Sequence, residues 1–362
     1  MIKEIKTKND YLIHLIFSAI HNKIPIEKPN NISFEDVFET ALNHNVANTA
    51  YYAVEKLTVK PKNDLLKKWK YERERWILKD INQRIAREEI VTAFNKKGIL
   101  YIEAQGTKIK EFYPQSDFRT MSDLDFIVNS TDFSKVKPIL KKLDYLPVNI
   151  TEKEIDALRK PDIFIEIHSD FFVETECKNM LFNAFAHVEY IEEKAVLKNE
   201  YLFLYSFLHF YKHFSNRGCG IRNILDIYLL NKKLSPIING KFVEEKLEEY
   251  GLYELYVKVS NLANNWFDDI IENKEDLSGM ADYVFECGVY GNSNVLFKNR
   301  IRKIEKEGKK FAKLRIIFKD LFLDKNTICA VYNVERYKSL LCFPLSVCVC
   351  QVKMLAKGPQ KC

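Results

Sequence analysis

Residues 103–128 read EAQGTKIKEFYPQSDFRTMSDLDFIV, and the last six of them decide the fold. Strand alternation in Asp123–Val128 (DLDFIV) puts Asp123, Asp125 and Ile127 on one face and Leu124, Phe126 and Val128 on the other. A later segment, Ile163–His168 (IFIEIH), is β-branched and alternating, with Phe164, Glu166 and His168 on one face. A carboxylate among apolar residues is costly to bury unless it meets a cation. If the two strands are neighbours, Asp123, Asp125 and Glu166 form a cluster of hard oxygen donors suited to Mg²⁺.

Upstream, the apolar run Gly98–Ala104 predicts another strand, ending at Gly106-Thr107. Glycine lets a backbone approach a phosphate closely, and the Thr hydroxyl can donate to its oxygens. Downstream, a helix is expected from Asn129–Asp132 to about Leu143, and Tyr145–Ile150 reads as a further strand. Strands separated by helical stretches indicate an α/β or α+β core over residues 98–197, the α+β form with a small mixed β-sheet being the expectation adopted. The flanks are helical. Ser33 is placed as an N-cap before Phe34, Val37, Phe38, Ala41 and Leu42, which recur at helical steps. A long helix from about Asp64 carries Trp69, Trp76, Ile77, Ile81 and Ile85 on one side, and Gly98 is placed to end it. Helical periods return from Tyr201. The expected organisation is a helical region 1–97, the core 98–197, a helical domain 198–330 and an extension 331–362.

Composition agrees. A chain of 362 residues, 47% hydrophobic and 29% charged, is long enough for more than one packed unit and is not disordered throughout. Only 11 Gly and 10 Pro argue against an all-β barrel or sandwich. The net charge of +6 permits a polyanionic partner without demanding one. The first residues mix Glu4 and Asp10 with lysines, which points to an amphipathic helix rather than a signal peptide. No apolar run is long enough to span a membrane, Leu340–Val349 being short and broken by Pro344. The cysteines lack Cys-x-x-Cys spacing, so free thiols and a cytoplasmic location are expected.

A strand ending in Gly-Thr, a spacer, Asp-x-Asp between hydrophobic residues and a third acid on a later strand resembles the polymerase-β-like nucleotidyltransferase superfamily. Tyr113-Pro114 and Arg119-Thr-Met-Ser-Asp-Leu-Asp125 narrow the resemblance to a bacterial branch of uncharacterised nucleotidyltransferase family proteins. So do Glu166-x-His168, the helix with His209 and His213, and the segment Arg222–Asp226; the similarity spans roughly residues 95–330. It implies an enzyme that moves a nucleoside monophosphate from an NTP to a hydroxyl acceptor on a small molecule, peptide or protein. Asp123, Asp125 and Glu166 would hold two Mg²⁺ ions, and Gly106, Thr107, Lys108, Arg119 and Ser122 would contact the nucleotide. His168, His209, Lys212, His213 and Arg222 are further pocket candidates. One departure stands out: Gln105 occupies the place of the family's Lys, so Lys108 or Lys110 is expected to substitute.

Bland readings compete. Arg119 could neutralise triphosphate or brace its loop against an acid. His209 and His213, four apart on a helix, have zinc spacing but no third ligand in view, so a pocket wall or satisfied core histidines is the better reading. The basic stretch Lys298–Arg315 is expected to be a solvated helix rather than a track for nucleic acid, because Glu305 and Glu307 interrupt it and stacking aromatics are scarce. RNA-directed transfer and a catalytically degenerate nucleotide-binding module remain the alternatives.

Overall fold

The computed structural model describes residues 5–169, 184–191, 194–269, 276–289, 291, 295–299 and 301. The chain divides into a unit of residues 1–292, to which every element below belongs, and a second of residues 293–362. Most of the basic stretch and all of the expected C-terminal extension lie outside the described residues.

Four helices come first: α1 (Lys8–Ile20), α2 (Phe34–Asn43), α3 (Ala47–Val54) and α4 (Asn63–Lys96). Thr7 and Asp10 form a capping box on α1, and the Ser33 hydroxyl accepts the Glu35 and Asp36 amides at the start of α2. Each cap is worth about 1 kcal/mol. Gly98, at φ +59, ends α4 as its position suggested. The strands and helices of the core follow: β1 (Tyr101–Glu103), α5 (Gln105–Lys110), β2 (Asp123–Val128), α6 (Phe133–Lys142), β3 (Leu146–Ile150), β4 (Glu154–Arg159) and β5 (Ile163–His168). A hairpin of β6 (Val188–Ile191) and β7 (Lys194–Leu197) leads to α7 (Asn199–Asn216), α8 (Ile221–Leu234), α9 (Gly240–Glu249), α10 (Tyr253–Phe267) and α11 (Ser278–Cys287).

The five-stranded sheet has the order β1-β2-β5-β4-β3, with β2 parallel to β5 and the other neighbours antiparallel. The fold is therefore α+β, with a small mixed sheet and flanking helices, as expected. One face of the sheet, through Leu124, Phe126, Val128, Ile155, Ile165 and Ile167, packs on Ile90 and Phe94 of α4 and on Val136 and Leu140 of α6. A second core joins α1–α3 to α7, α8, α10 and α11 through residues such as Leu12, Phe38, Phe207, Leu230 and Phe267. Trp69 sits in it fully buried, and its indole N–H donates to the Ala47 carbonyl at 2.8 Å.

Two expectations need correction. The buried face of α4 runs through Trp69, Trp76, Asp80, Gln83, Ala86, Ile90 and Phe94, while Ile81 and Ile85 are exposed. The reason is hydrogen bonding: Asp80 accepts from the Ser116 hydroxyl at 2.6 Å and pairs with Lys110, and Gln83 donates to the Met121 carbonyl at 3.1 Å. Polar residues occupy the inner face because they hold the segment leading into β2. The second correction concerns Gly106-Thr107, which does not end the strand: β1 stops at Glu103, and the pair lies within the first turn of α5.

Candidate active site

The pairing of β2 with β5 places Asp125 opposite Glu166 and Asp123 opposite Phe164. Glu166 in turn faces Asp156 of β4, and His168 faces Glu154. Carboxylates from three adjacent strands thus form a row across the sheet face opposite α4. Ligand atoms of Asp125, Glu166 and His168 lie within 4.8 Å of one another, and so do those of Glu154, Asp156 and Glu166. Asp123 accepts a hydrogen bond from the Ser122 hydroxyl at 2.8 Å.

Crowding these charges has an electrostatic consequence. Burial, reinforced by Asp123 and Glu166, pushes the Asp125 carboxyl well above its usual range. Burial together with the charges of Asp123, Asp156 and Glu154 pushes Glu166 up to about 7. The Asp156 Oδ1 is buried without a hydrogen-bond partner. Oxygen donors that repel one another, one of them unsatisfied, fit a hard divalent cation.

A cavity of about 440 Å³ opens over the acids. One wall is Asp123, Asp125 and Glu166 with Gly106, Met121 and Ser122; the other is His209, Lys212, His213, Arg217 and Arg222, from α7 and the start of α8. Acids of the sheet and cations of α7 and α8 thus line one cavity, together with Arg119 and Asp226. Burial holds His209 well below its usual range, so its ring is neutral and its Nε2 lies 3.3 Å from that of His213. A larger cavity, about 700 Å³, lies between α1 and α10–α11, where no group of potential metal ligands was found among the described residues.

Of the residues singled out in the sequence, Asp123, Asp125, Glu166, Gly106, Arg119, Ser122, His209, Lys212, His213 and Arg222 all line the smaller cavity. His168 lies beside Glu154 and Glu166, at 3.6 and 3.7 Å, and Thr107 and Lys108 are not among the described cavity walls. Lys108 pairs with Glu111 instead, and Lys110 with the buried Asp80, so neither expected substitute for the missing Lys reaches the acids. Arg119 is bound to Asp226 at 2.9 and 3.0 Å and to the Gly106 carbonyl at 3.1 Å. Sequence reasoning missed Glu154, Asp156 and Arg217. The acid-x-acid spacing of Glu154 and Asp156 repeats that of Asp123 and Asp125, and was the available signal.

A small mixed sheet with Asp-x-Asp on one strand and a third acid on its parallel neighbour, facing a helical wall of cations, is the arrangement of a nucleotidyltransferase. The chain belongs to the family described as uncharacterised nucleotidyltransferase, which matches residues 30–268. No curated protein and no solved structure matches significantly. Among the described residues no helix is long and apolar enough to cross a membrane.

Proposed function

We propose that the protein transfers a nucleoside monophosphate from an NTP to a hydroxyl acceptor, with Mg²⁺ ions held by Asp123, Asp125 and Glu166. The observation that carries this reading is the in-register pair Asp125–Glu166, whose carboxyls are both pushed above their usual range by burial and neighbouring acids in a cavity that Lys212, Arg217 and Arg222 also line. Two divalent cations there would lower the acceptor hydroxyl's pKa and neutralise charge on the departing pyrophosphate. The acceptor oxygen bonds to the α-phosphorus as that phosphorus releases the β-phosphate oxygen. Lys212, Arg217 and Arg222 approach the triphosphate from the opposite wall, supplying the positive charge that Gln105, Lys108 and Lys110 do not bring to the acids. The Gly106 backbone, beside Asp125, leaves room for the phosphates.

Ligand-linked stability tests the binding half of this reading. At millimolar concentration at least one of the four NTPs should raise the melting temperature with Mg²⁺ and not with EDTA. A ligand at a hundredfold its Kd adds about 2.7 kcal/mol to the native state. If no NTP shifts the transition, the assignment is wrong.

A further inference from the structure

Arg119 lies on the cavity wall, yet three of its N–H groups are already committed. Nε and one terminal nitrogen take both oxygens of Asp226 on α8, and the other terminal nitrogen takes the Gly106 carbonyl. Both side chains are almost fully buried, at 7% and 6% exposure, so the pair cannot turn toward solvent. Tyr113 donates its hydroxyl to Asp226 Oδ1 at 2.7 Å. Beyond the guanidinium, a methyl group added at Gly106 would lie 3.7 Å from Asp125 Oδ2 and 3.2 Å from the Met121 methyl. Gly106 and Asp125 therefore lie side by side on the cavity lining.

We infer that Arg119 is a positioning residue: anchored on Asp226, it fixes the Gly106 backbone against Asp125 and so sets the gap that the NTP phosphates enter. The inference rests on the nucleotidyl-transfer reading and adds to it a part for α8 in aligning the phosphate site. A planar guanidinium can grip a carboxylate with two donors and still bond a carbonyl with a third; an ammonium of the same charge cannot reproduce that fork. Arg119→Lys thus keeps the charge opposite Asp226 while freeing Gly106. Misplacement by an ångström is enough to cost orders of magnitude in a positioned reaction.

The test compares the full-length parent, Arg119→Lys and Val259→Ala in two assays: Mn²⁺ alone by paramagnetic resonance, and Mg²⁺–NTP by calorimetry. Arg119→Lys should bind Mn²⁺ as the parent does, yet hold NTP about tenfold more weakly, about 1.4 kcal/mol and the scale of a single lost hydrogen bond. Val259→Ala removes buried apolar bulk from α10, away from the cavity lining, and should lower the melting temperature while leaving NTP affinity unchanged. Should Arg119→Lys fail to fold, Gly106→Ala takes its place, since its methyl meets the Arg119 guanidinium at 3.4 Å on a backbone without positive φ. The same loss of NTP affinity is then expected. If Arg119→Lys, or Gly106→Ala in its place, binds NTP as the parent does, or Val259→Ala weakens it equally, the positioning role is refuted while nucleotidyl transfer stands. If the parent itself binds no NTP, the functional reading falls and the inference with it.

Discussion

Glu166 stands between Asp125 and Asp156 in the row of acids, and its titration reports directly on the crowding there. Its folded-state pKa of about 7 exceeds the 4.5 of an unperturbed carboxyl. A raised carboxyl pKa means the folded state holds the proton more tightly, so this stability is fully present below about 4.5 and is lost as pH rises through about 7. Histidines work against it on acidification: burial lowers His44 to about 4 and His209 well below its usual range, and both resist protonation in the fold. Comparing Glu166→Gln with the parent cancels the histidine contribution. In EDTA the variant should melt higher than the parent at pH 8, and the advantage should disappear near pH 5. A variant less stable than the parent at pH 8 would show that Glu166 is a structural partner and not a repelled ligand. At this scale the sequence was readable where alternation was clean: Asp123, Asp125 and Glu166 declared their face. Arg119 could not be resolved that way, because its anchor, Asp226, lies more than a hundred residues along the chain.

Among elements, β4 shows where the reading stopped. Lys153–Lys160 mixes charges with a short apolar pattern, and only pairing between β3 and β5 makes it a strand. Its Glu154 and Asp156 went unassigned for that reason. The long helix α4 was legible, but its buried face was not, because Asp80 and Gln83 are inside for their hydrogen bonds and not for apolarity. The start of α8 offers a sharp test of how tightly the cationic wall is built. A methyl at Gly220 would stand 2.7 Å from His44 Nδ1, 2.8 Å from the Val289 nitrogen and 2.9 Å from the Gly288 carbonyl carbon. His44 Nδ1 itself accepts the Ile221 amide at 3.2 Å. Since two of these neighbours are backbone, Gly220→Ala should cost about 1–3 kcal/mol by overpacking. Gly240→Ala, with nothing within 4 Å at the first turn of α9, should instead stabilise by about 0.4–1 kcal/mol. Denaturant unfolding of the two variants checks the contrast; equal effects would mean that α8 is not seated as described.

Across the whole molecule, the α+β architecture was legible because hydrophobic period changes twice, from helix to strand near Gly98 and back near Asn199. Less legible was that the early helices do not stand apart: α1–α3 share one core with α7, α8, α10 and α11. From both sides the segment leading to β2 is held, since Asn48 and Thr49 of α3 and Arg222 of α8 donate to the carbonyls of Asp117, Phe118 and Thr120. Contacts between such distant residues leave no local periodicity in the sequence. The candidate site is thus assembled by helices on both flanks of the sheet. The most direct test follows the phosphorus atoms. Purified protein is incubated with Mg²⁺, a cell lysate and each NTP carrying a label at either the α- or the γ-phosphate. Transfer of a nucleoside monophosphate requires the α-label to reach an acceptor, the γ-label to leave in pyrophosphate, and Asp125→Asn to abolish both. Transfer of the γ-label to an acceptor, or undiminished labelling by Asp125→Asn, would contradict it.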